Sequence, residues 1–599
     1  MTVFLLLACT KVLPPRGDCN PVDDGHCMLP FPSSFFVEEG YLAFGPESLP
    51  INRDDVPLRP EQWNRLDGFP TLGALYAHLP GASLEGTATH EDIDRSLEND
   101  SPTLIVDVQT LELVPHFVER EVQAPQDRQA LILRPVQPLE HGRRYVVAIR
   151  DLPGGIAPEG FAAIRDGLQD LEPDLERQIG TYEEIFTTLE ELGVQREELL
   201  LAWDFQTVSE EVSLRDMRHI RDEGLAWGDP EYSVESVEQG DCESNDPIAR
   251  TLRGEMTVPL YLDSWEPGSR LERDATGLPV QNGSAQVPFV VYLPCSLVEE
   301  PRAGALVQFG HGVLGDHDES ASLVRQADDY GWVLFAVSWT GMKSDDISAI
   351  TLMLANDASE FSIIPDRLHQ GHLEFLLAAR MMQGPMSEDP LLQQDGLSLI
   401  DPERLYFYGV SQGGILGGAQ VAMSPDIDRA VLAVPGTPFG LILTRSQNFQ
   451  PFLRLLEAKY SDWMDISLLM ALMQMLWDPT ESAGWARLQD KDVLIQAAIG
   501  DASVTTLSAQ VMARSFGASL VQPPVRPVWG LDTMEPPFEG SALVEFDWGA
   551  EEPFEAVPAD MATDTHGGPG GSAEGKLQVG RFFEEGLIYN PCEGSCDPR

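Results

Sequence analysis

Positive charge is scarce in this chain: 39 lysines and arginines stand against 96 aspartates and glutamates, a formal net charge of −57. A surface of that sign repels the phosphate backbone of nucleic acid and bare anionic membranes, so neither is expected as a partner. Long apolar runs are missing as well. No stretch beyond the first few residues approaches the roughly 18 apolar residues of a membrane-spanning helix. The C-x-x-C spacing of a structural zinc site is absent. No P-loop or dinucleotide fingerprint stands between a strand and a helix, and there is no internal repeat. These absences set aside nucleotide, zinc-ribbon and solenoid readings, and no cofactor or metal is expected. What remains is globular: 43% of residues are hydrophobic, and the 52 glycines and 46 prolines are scattered. At 599 residues the chain exceeds what one core holds, so more than one domain is expected. The acidity reads as a device for solubility and says little about substrate.

The chain begins Met1-Thr-Val-Phe-Leu-Leu-Leu-Ala8-Cys9. Leu6-Leu7-Ala8-Cys9 resembles the lipobox of bacterial lipoproteins, in which the cysteine is acylated. No Lys or Arg precedes the apolar run, so residues 1–9 are read as a truncated lipoprotein leader. Cys9 is the candidate lipidation site, and its lipid is the only membrane attachment expected. The other six cysteines are even in number: Cys19, Cys27, Cys242, Cys295, Cys592 and Cys596. Their proximity suggests Cys19–Cys27, Cys592–Cys596 and the longer pair Cys242–Cys295. Such pairs agree with an oxidising, exported location, at the cell surface or outer membrane or free in the medium.

Residues 10–245 are read as an N-terminal β-rich domain. Short β-type runs such as Thr103–Val108, Ala130–Arg134 and Arg144–Ile149 are broken by turn signals. The segment Arg134-Pro-Val-Gln-Pro-Leu-Glu-His-Gly-Arg-Arg-Tyr145 resembles the strand–turn–strand of immunoglobulin-like bacterial modules, which suggests a β-sandwich. A helical segment is expected near 160–225, with Gly160–Leu192 and Glu210–Glu223 helical and Leu199–Thr207 a strand between them. A Pro-, Asp- and Glu-rich stretch near 228–248 marks a boundary. From 250 to 599 near-continuous apolar strands alternate with helices. That rhythm implies a mostly parallel sheet covered on both faces.

Within that second region Leu405-Tyr-Phe-Tyr408 runs into Gly409-Val410-Ser411-Gln412-Gly413-Gly414 and then a small-residue helix, Ile415–Met423. A G-x-S-x-G between strand and helix is a nucleophile elbow, and its tight turn lifts the serine hydroxyl above the sheet. Ser411 is therefore the candidate nucleophile. It needs a base, and in this order the acid and the histidine follow the serine. Ten of the eleven histidines precede Ser411; His566 alone follows. The acid should end a strand between them, and Val493–Ile499 leads directly to Gly500-Asp501. Asp501 can hold the distal imidazole nitrogen and fix its tautomer. Asp490 and Asp492 lie at the wrong end of that strand, and Asp564 is too close to His566 in sequence to orient it. The strand Ala305–Phe309 ends in Gly310-His311-Gly312-Val313-Leu314-Gly315. This turn is a candidate oxyanion loop, with the Val313 and Gln412 amides as donors and His311 shaping the loop. One such donor is worth about 3 kcal/mol of barrier.

Taken together, His311-Gly312-Val313-Leu314-Gly315, Gly409-x-Ser411-Gln412-Gly413-Gly414, Asp501 and His566 resemble the α/β-hydrolase superfamily. The Ser-Gln-Gly-Gly and His-Gly-x-x-Gly details are similar to bacterial true lipases. The leader, Pro30-Phe-Pro-Ser33 and the β-rich first half resemble large surface-exposed bacterial lipase and lysophospholipase lipoproteins. The resemblance implies an α/β-hydrolase domain preceded by a β-rich, immunoglobulin-like region with some helices. It implies a serine hydrolase of carboxylesterase or lipase type, acting through an acyl-enzyme on a small-molecule or lipid ester without a cofactor.

Nearly sixty residues separate Val434 from Val493, more than a strand–helix–strand link needs. A Met- and Leu-rich helix over Ile466–Trp477 falls within an expected lid insertion at about 438–490. Trp339-Thr340-Gly341-Met342 is expected to line the same cleft. His369-Gln-Gly-His372 lacks the glutamate of H-E-x-x-H and reads as a packed or surface pair. The alternatives are a polyester depolymerase or exported peptidase of the same fold, or a surface binding protein whose hydrolase domain is inactive.

Overall fold

The computed structural model describes residues 16–598. The leader and Cys9 lie outside the described residues.

One eleven-stranded sheet organises the molecule. Its strands in chain order are β1 Tyr232–Gln239, β2 Ile248–Pro259, β3 Ser284–Pro294, β4 Gly304–Gly310, β5 Val333–Ala336 and β6 Ile400–Val410. They continue with β7 Arg429–Ala433, β8 Asp492–Ala498, β9 Ser519–Val521, β10 Thr533–Met534 and β11 Ala542–Phe546. Across the sheet they run β10-β9-β11-β8-β7-β6-β4-β5-β3-β2-β1. From β5 to β10 all neighbours are parallel, whereas β1, β2 and β3 pair antiparallel at the other edge. The stretch expected as a boundary near 228–248 therefore carries β1, an edge strand hydrogen-bonded to β2. Its polar, charged sequence disguises it, because an edge strand with half-exposed side chains needs no apolar run.

Side chains of the central strands alternate between two cores, as a pleat of period two requires. Leu405 and Phe407 of β6 join one core; Tyr406 and Tyr408 join the other. The first core lies under helices α3 (Ile363–Gln383), α4 (Gln412–Met423) and α7 (Thr506–Ser515). The second lies under α1 (Val324–Tyr330) and α8 (Ala573–Glu585), which touch each other, α1 covering β3 and β5 and α8 covering β7 and β8. The connection after β4 thus leaves to one face and that after β6 to the other. The carboxyl ends of these two adjacent parallel strands border a crevice, the place where open α/β sheets bind ligands.

The first half of the chain forms two three-stranded antiparallel sheets. One contains Leu75–Ala77, His116–Arg120 and Leu131–Pro135; the other contains Thr103–Asp107, Arg144–Arg150 and Leu199–Gln206. The helix expected over Gly160–Leu192 is two helices, Glu159–Arg165 and Pro173–Glu191. Pro173 sets the break, since it opens a helix well and cannot continue one. This region shares the first core with the large sheet. The Trp63 indole donates to Leu472 O at 2.8 Å, and Arg514 Nε donates to Val136 O at 2.8 Å. Glu119 is held by Arg134 and Arg445, and these two cations outweigh the burial penalty and depress its pKa to about 2.

The insertion contains α5 (Gln450–Lys459) and α6 (Trp463–Trp477). The Met- and Leu-rich α6 is buried on every side, as a helix apolar all round must be. It is core, clasped between the sheet's helices and the N-terminal region. The amphipathic α5 lies outside it, packed against α2 (Ile347–Asn356). All three disulfides pair as proximity suggested: Cys19–Cys27, Cys242–Cys295 and Cys592–Cys596.

Candidate active site

The strand β6 ends at Val410, and α4 begins at Gln412. Ser411 between them has φ 57° and ψ −120°. A non-glycine residue held there stores about 1–3 kcal/mol of strain, of the kind that collects at functional sites. The flanking glycines are a steric necessity. A Cβ on Gly409 would lie 2.1 Å from Gly413 O, and one on Gly413 would lie 2.1 Å from Gly310 O. Gly310 is also the register partner of Gly409, so the elbow and the loop after β4 stand side by side. A Cβ on Gly312 would come 3.9 Å from Ser411 Cβ. Ser411 is nearly buried, and among the described residues its hydroxyl has no hydrogen-bond partner.

Asp501 follows β8, two strands from the elbow. Its Oδ2 lies 2.7 Å from His566 Nδ1. Its Oδ1 accepts the Ser503 and Val504 amides at 2.7 and 2.8 Å. One carboxylate therefore does two things: one oxygen stabilises a turn and the other holds the imidazole. The helix itself starts at Thr506. Burial alone would lower the imidazole pKa. The hydrogen bond and charge of Asp501, reinforced by Asp564, more than offset this, and the net shift is upward. With Nδ1 committed to Asp501, Nε2 is left for the serine or a departing alcohol.

Asp564, set aside as an acid, has a different task. Its Oδ1 accepts the His566 amide at 3.1 Å and the Ala502 amide at 2.9 Å, tying the histidine loop to the aspartate loop. Thr565 Oγ1 adds a bond to Ile499 O at 2.9 Å. Asp492 opens β8 at its far end, and Asp490 pairs with Lys491.

On the other side of Ser411, His311 is locked inside its loop. Its Nδ1 lies 2.8 Å from Gly312 O, and its Nε2 accepts the Trp339 amide at 2.8 Å. Burial lowers its pKa to about 4, so it stays neutral. The Gly312 amide donates to Glu319 at 2.8 Å. The Val313 amide has no acceptor among the described residues. Nor has the Gln412 amide, which as the first N–H of α4 needs none within the helix. The Gln412 side chain was not foreseen as an actor. Its Oε1 accepts the Leu314 amide at 3.2 Å and its Nε2 donates to Met342 O at 2.9 Å, bracing two loops from the residue beside the nucleophile.

Leu314 and Met342 also line an apolar cavity of about 50 Å³ beside the crevice. Phe452 and Leu456 of α5, with Met470 and Met473 of α6, close it. Of the expected cleft residues Trp339 to Met342, only Met342 reaches it. Trp339 instead stacks on Phe375 at 3.7 Å, and Thr340 bonds Glu374 at 2.8 Å within the core. His372 sits between Gln420 Oε1 and Thr480 O at 3.0 and 2.9 Å, so of the packed and surface alternatives it is the packed one.

No family model and no curated protein sequence matches the chain. Its solved structural neighbours are esterases and hydrolases. Acetyl xylan esterase 1 from Thermoanaerobacterium sp. JW/SL YS485 is 14% identical, covers 56% of this chain and 89% of its own, and has a TM-score of 0.32. An acetyl xylan esterase from Paenibacillus sp. R4 is 13% identical over 53% of this chain and 87% of its own, with a TM-score of 0.34. An S-formylglutathione hydrolase from Agrobacterium tumefaciens is 13% identical over 53% and 91%, with a TM-score of 0.28. Scores this low transfer no function, which rests on this chain's own residues.

Proposed function

We propose that the protein is an exported serine carboxylic-ester hydrolase of α/β-hydrolase type. The observation that carries the reading is the strained Ser411 on its elbow, with the 2.7 Å Asp501–His566 pair on the same edge of the sheet. In the first half-reaction Ser411 Oγ attacks the ester carbonyl while His566 Nε2 takes its proton. Charge that develops on the carbonyl oxygen meets the free Val313 and Gln412 amides. The C–O bond then breaks, the proton passes from Nε2 to the alkoxide, and an alcohol leaves an acyl-serine. Water, deprotonated by the same nitrogen, releases the acid and restores the serine. Export is supported by the three disulfides. The lipid on Cys9 and the immunoglobulin-like character of the first half remain part of this reading.

A fluorophosphonate probe tests it, since only an activated serine reacts quickly. Stoichiometric labelling mapped to Ser411 is expected; an unlabelled native protein would make it a binding protein instead.

The apolar cavity is read as the acyl pocket. Its volume of about 50 Å³ holds a few methylene groups at most, given that one water takes roughly 10–15 Å³ on the same measure. The movable cover is α5 with α2 rather than the buried α6. On a series of p-nitrophenyl esters, kcat/KM is expected to peak between acetate and hexanoate. A maximum at dodecanoate or beyond would show that the cover opens and the pocket is larger than this.

A further inference from the structure

A second, wetter concavity of about 720 Å³ lies on the opposite face of the sheet. Its walls are α1 and α8, its floor is the ends of β4, β6 and β7, and His566 stands at its rim. The walls touch where Gln326 Nε2 donates to Lys576 O at 2.8 Å. Two cations flank that contact, Arg325 on α1 and Lys576 on α8, and both line the groove. Among the described residues neither lies within ion-pair distance of a carboxylate. The other described lysines, Lys343, Lys459 and Lys491, each do. Asp329 is the only carboxylate lining the groove among the described residues. In a chain with 96 acidic residues, this is a local reversal of sign.

The floor carries a second signal. Tyr408 is 5% exposed, and its ring stacks on Phe309 at 6.0 Å. Its hydroxyl faces the segment after His566, where a Cβ on Gly570 would approach it to 3.5 Å. Among the described residues that hydroxyl has no hydrogen-bond partner. Tyr408 lines the groove, so its unpartnered hydroxyl is available there to donate to a ligand.

The chemistry of the site decides which part of a substrate lies here. The departing alkoxide takes its proton from His566 Nε2, so the alcohol leaves on the histidine side. The acyl side is occupied by the apolar cavity behind Leu314 and Met342. We propose that the groove between α1 and α8 is a subsite for an anionic alcohol moiety, one bearing a carboxylate or phosphate. Arg325 and Lys576 are its charge partners and Tyr408 its hydrogen-bond donor. The inference rests on the ester-hydrolase reading and narrows it to esters with an apolar acyl group and an anionic leaving group.

Two substrates isolate the effect: 4-butyryloxybenzoate, whose leaving group is anionic, and its neutral methyl ester. The ratio of their kcat/KM values is compared in the wild type, the Arg325→Gln/Lys576→Gln double variant and Tyr408→Phe. The ratio is expected to fall about tenfold in the double variant, as two solvent-exposed charge contacts acting together allow. It is expected to fall about fivefold in Tyr408→Phe. Half-molar salt should erode the wild-type ratio and leave that of the double variant unmoved. Equal ratios in wild type and double variant overturn the inference. If the wild type cleaves neither ester, the hydrolase reading fails, and calorimetry on Ser411→Ala still tests the groove. There 4-hydroxybenzoate and phenyl phosphate are expected to bind more tightly than methyl 4-hydroxybenzoate, and their relative affinities separate carboxylate from phosphate recognition. Indistinguishable affinities for the charged and neutral ligands overturn the assignment.

Discussion

Replacing Ser411 with alanine is expected to lower kcat for p-nitrophenyl butyrate by about 10⁵- to 10⁶-fold and to abolish fluorophosphonate labelling. Loss on this scale is what removal of a triad nucleophile produces, because the remaining histidine and aspartate have nothing to activate. The residual rate, about 10³- to 10⁴-fold over water, belongs to the oxyanion donors and to substrate binding. The fold should barely notice. The Ser411 hydroxyl has no hydrogen bond to lose among the described residues, and alanine tolerates φ 57° about as well as serine does. The Ser411 amide keeps its bond to Ala433 O at 2.9 Å, and its carbonyl keeps the Gly414 and Ile415 amides. Thermal unfolding should therefore shift by a few degrees at most. A Ser411→Ala protein with native melting and native turnover would remove the serine from the chemistry altogether.

Much of this site is legible in the sequence, because steric rules leave few alternatives. An elbow that must pass between Gly310 and Gly413 admits only glycine at its flanks, so it shows as a motif. His566 is conspicuous because the other histidines all precede the serine. Asp501 is legible because a buried, apolar strand that ends in Gly-Asp leaves that carboxylate at the sheet's edge. The three disulfides follow from proximity along the chain for two of them, and by remainder for the third.

What escaped the sequence is long-range and polar. The Gln412 brace depends on where Leu314 and Met342 come to rest, 98 and 70 residues earlier along the chain. In the sequence Asp564 reads only as a rival to Asp501, since nothing local reveals that its Oδ1 accepts amides of two different loops. The strand β1 hid in a charged stretch because an edge strand half-open to water can be written in polar residues. A Met- and Leu-rich run has the same composition whether it faces a ligand or a core, and α6 does both: Met470 and Met473 line the apolar cavity, and Leu472 O accepts from Trp63 of the N-terminal region. Neither the groove nor its unpaired cations leave any local pattern, since Arg325 and Lys576 come from helices some 250 residues apart.

The Asp501→Asn exchange tests the polar half of the site more sharply than deletion of the side chain would. The carboxylate's Oδ1 is fixed by the amides of Ser503 and Val504. An asparagine keeps its carbonyl oxygen on those two donors and therefore turns its NH₂ toward His566. An NH₂ cannot accept from Nδ1–H; it donates to Nδ1 and moves the imidazole proton to Nε2. That is the nitrogen that must take the serine's proton, so kcat/KM is expected to fall by about 10⁴-fold with the fold intact. The pH profile adds a second, independent signature. His566 acts as a base only while neutral, so activity is lost as pH falls through its pKa. In the wild type, burial lowers that pKa and Asp501 raises it further than burial lowers it. The acid limb should accordingly lie above the ordinary histidine range of about 6.5. Without the aspartate's charge and hydrogen bond, burial dominates, opposed only by the more distant Asp564, and the residual acid limb should move to lower pH. Turnover of p-nitrophenyl acetate from pH 4 to 9 measures both effects in one series. An asparagine variant within tenfold of wild type, or one whose acid limb stays in place, would show that Asp501 serves the turn before α7 and not the histidine.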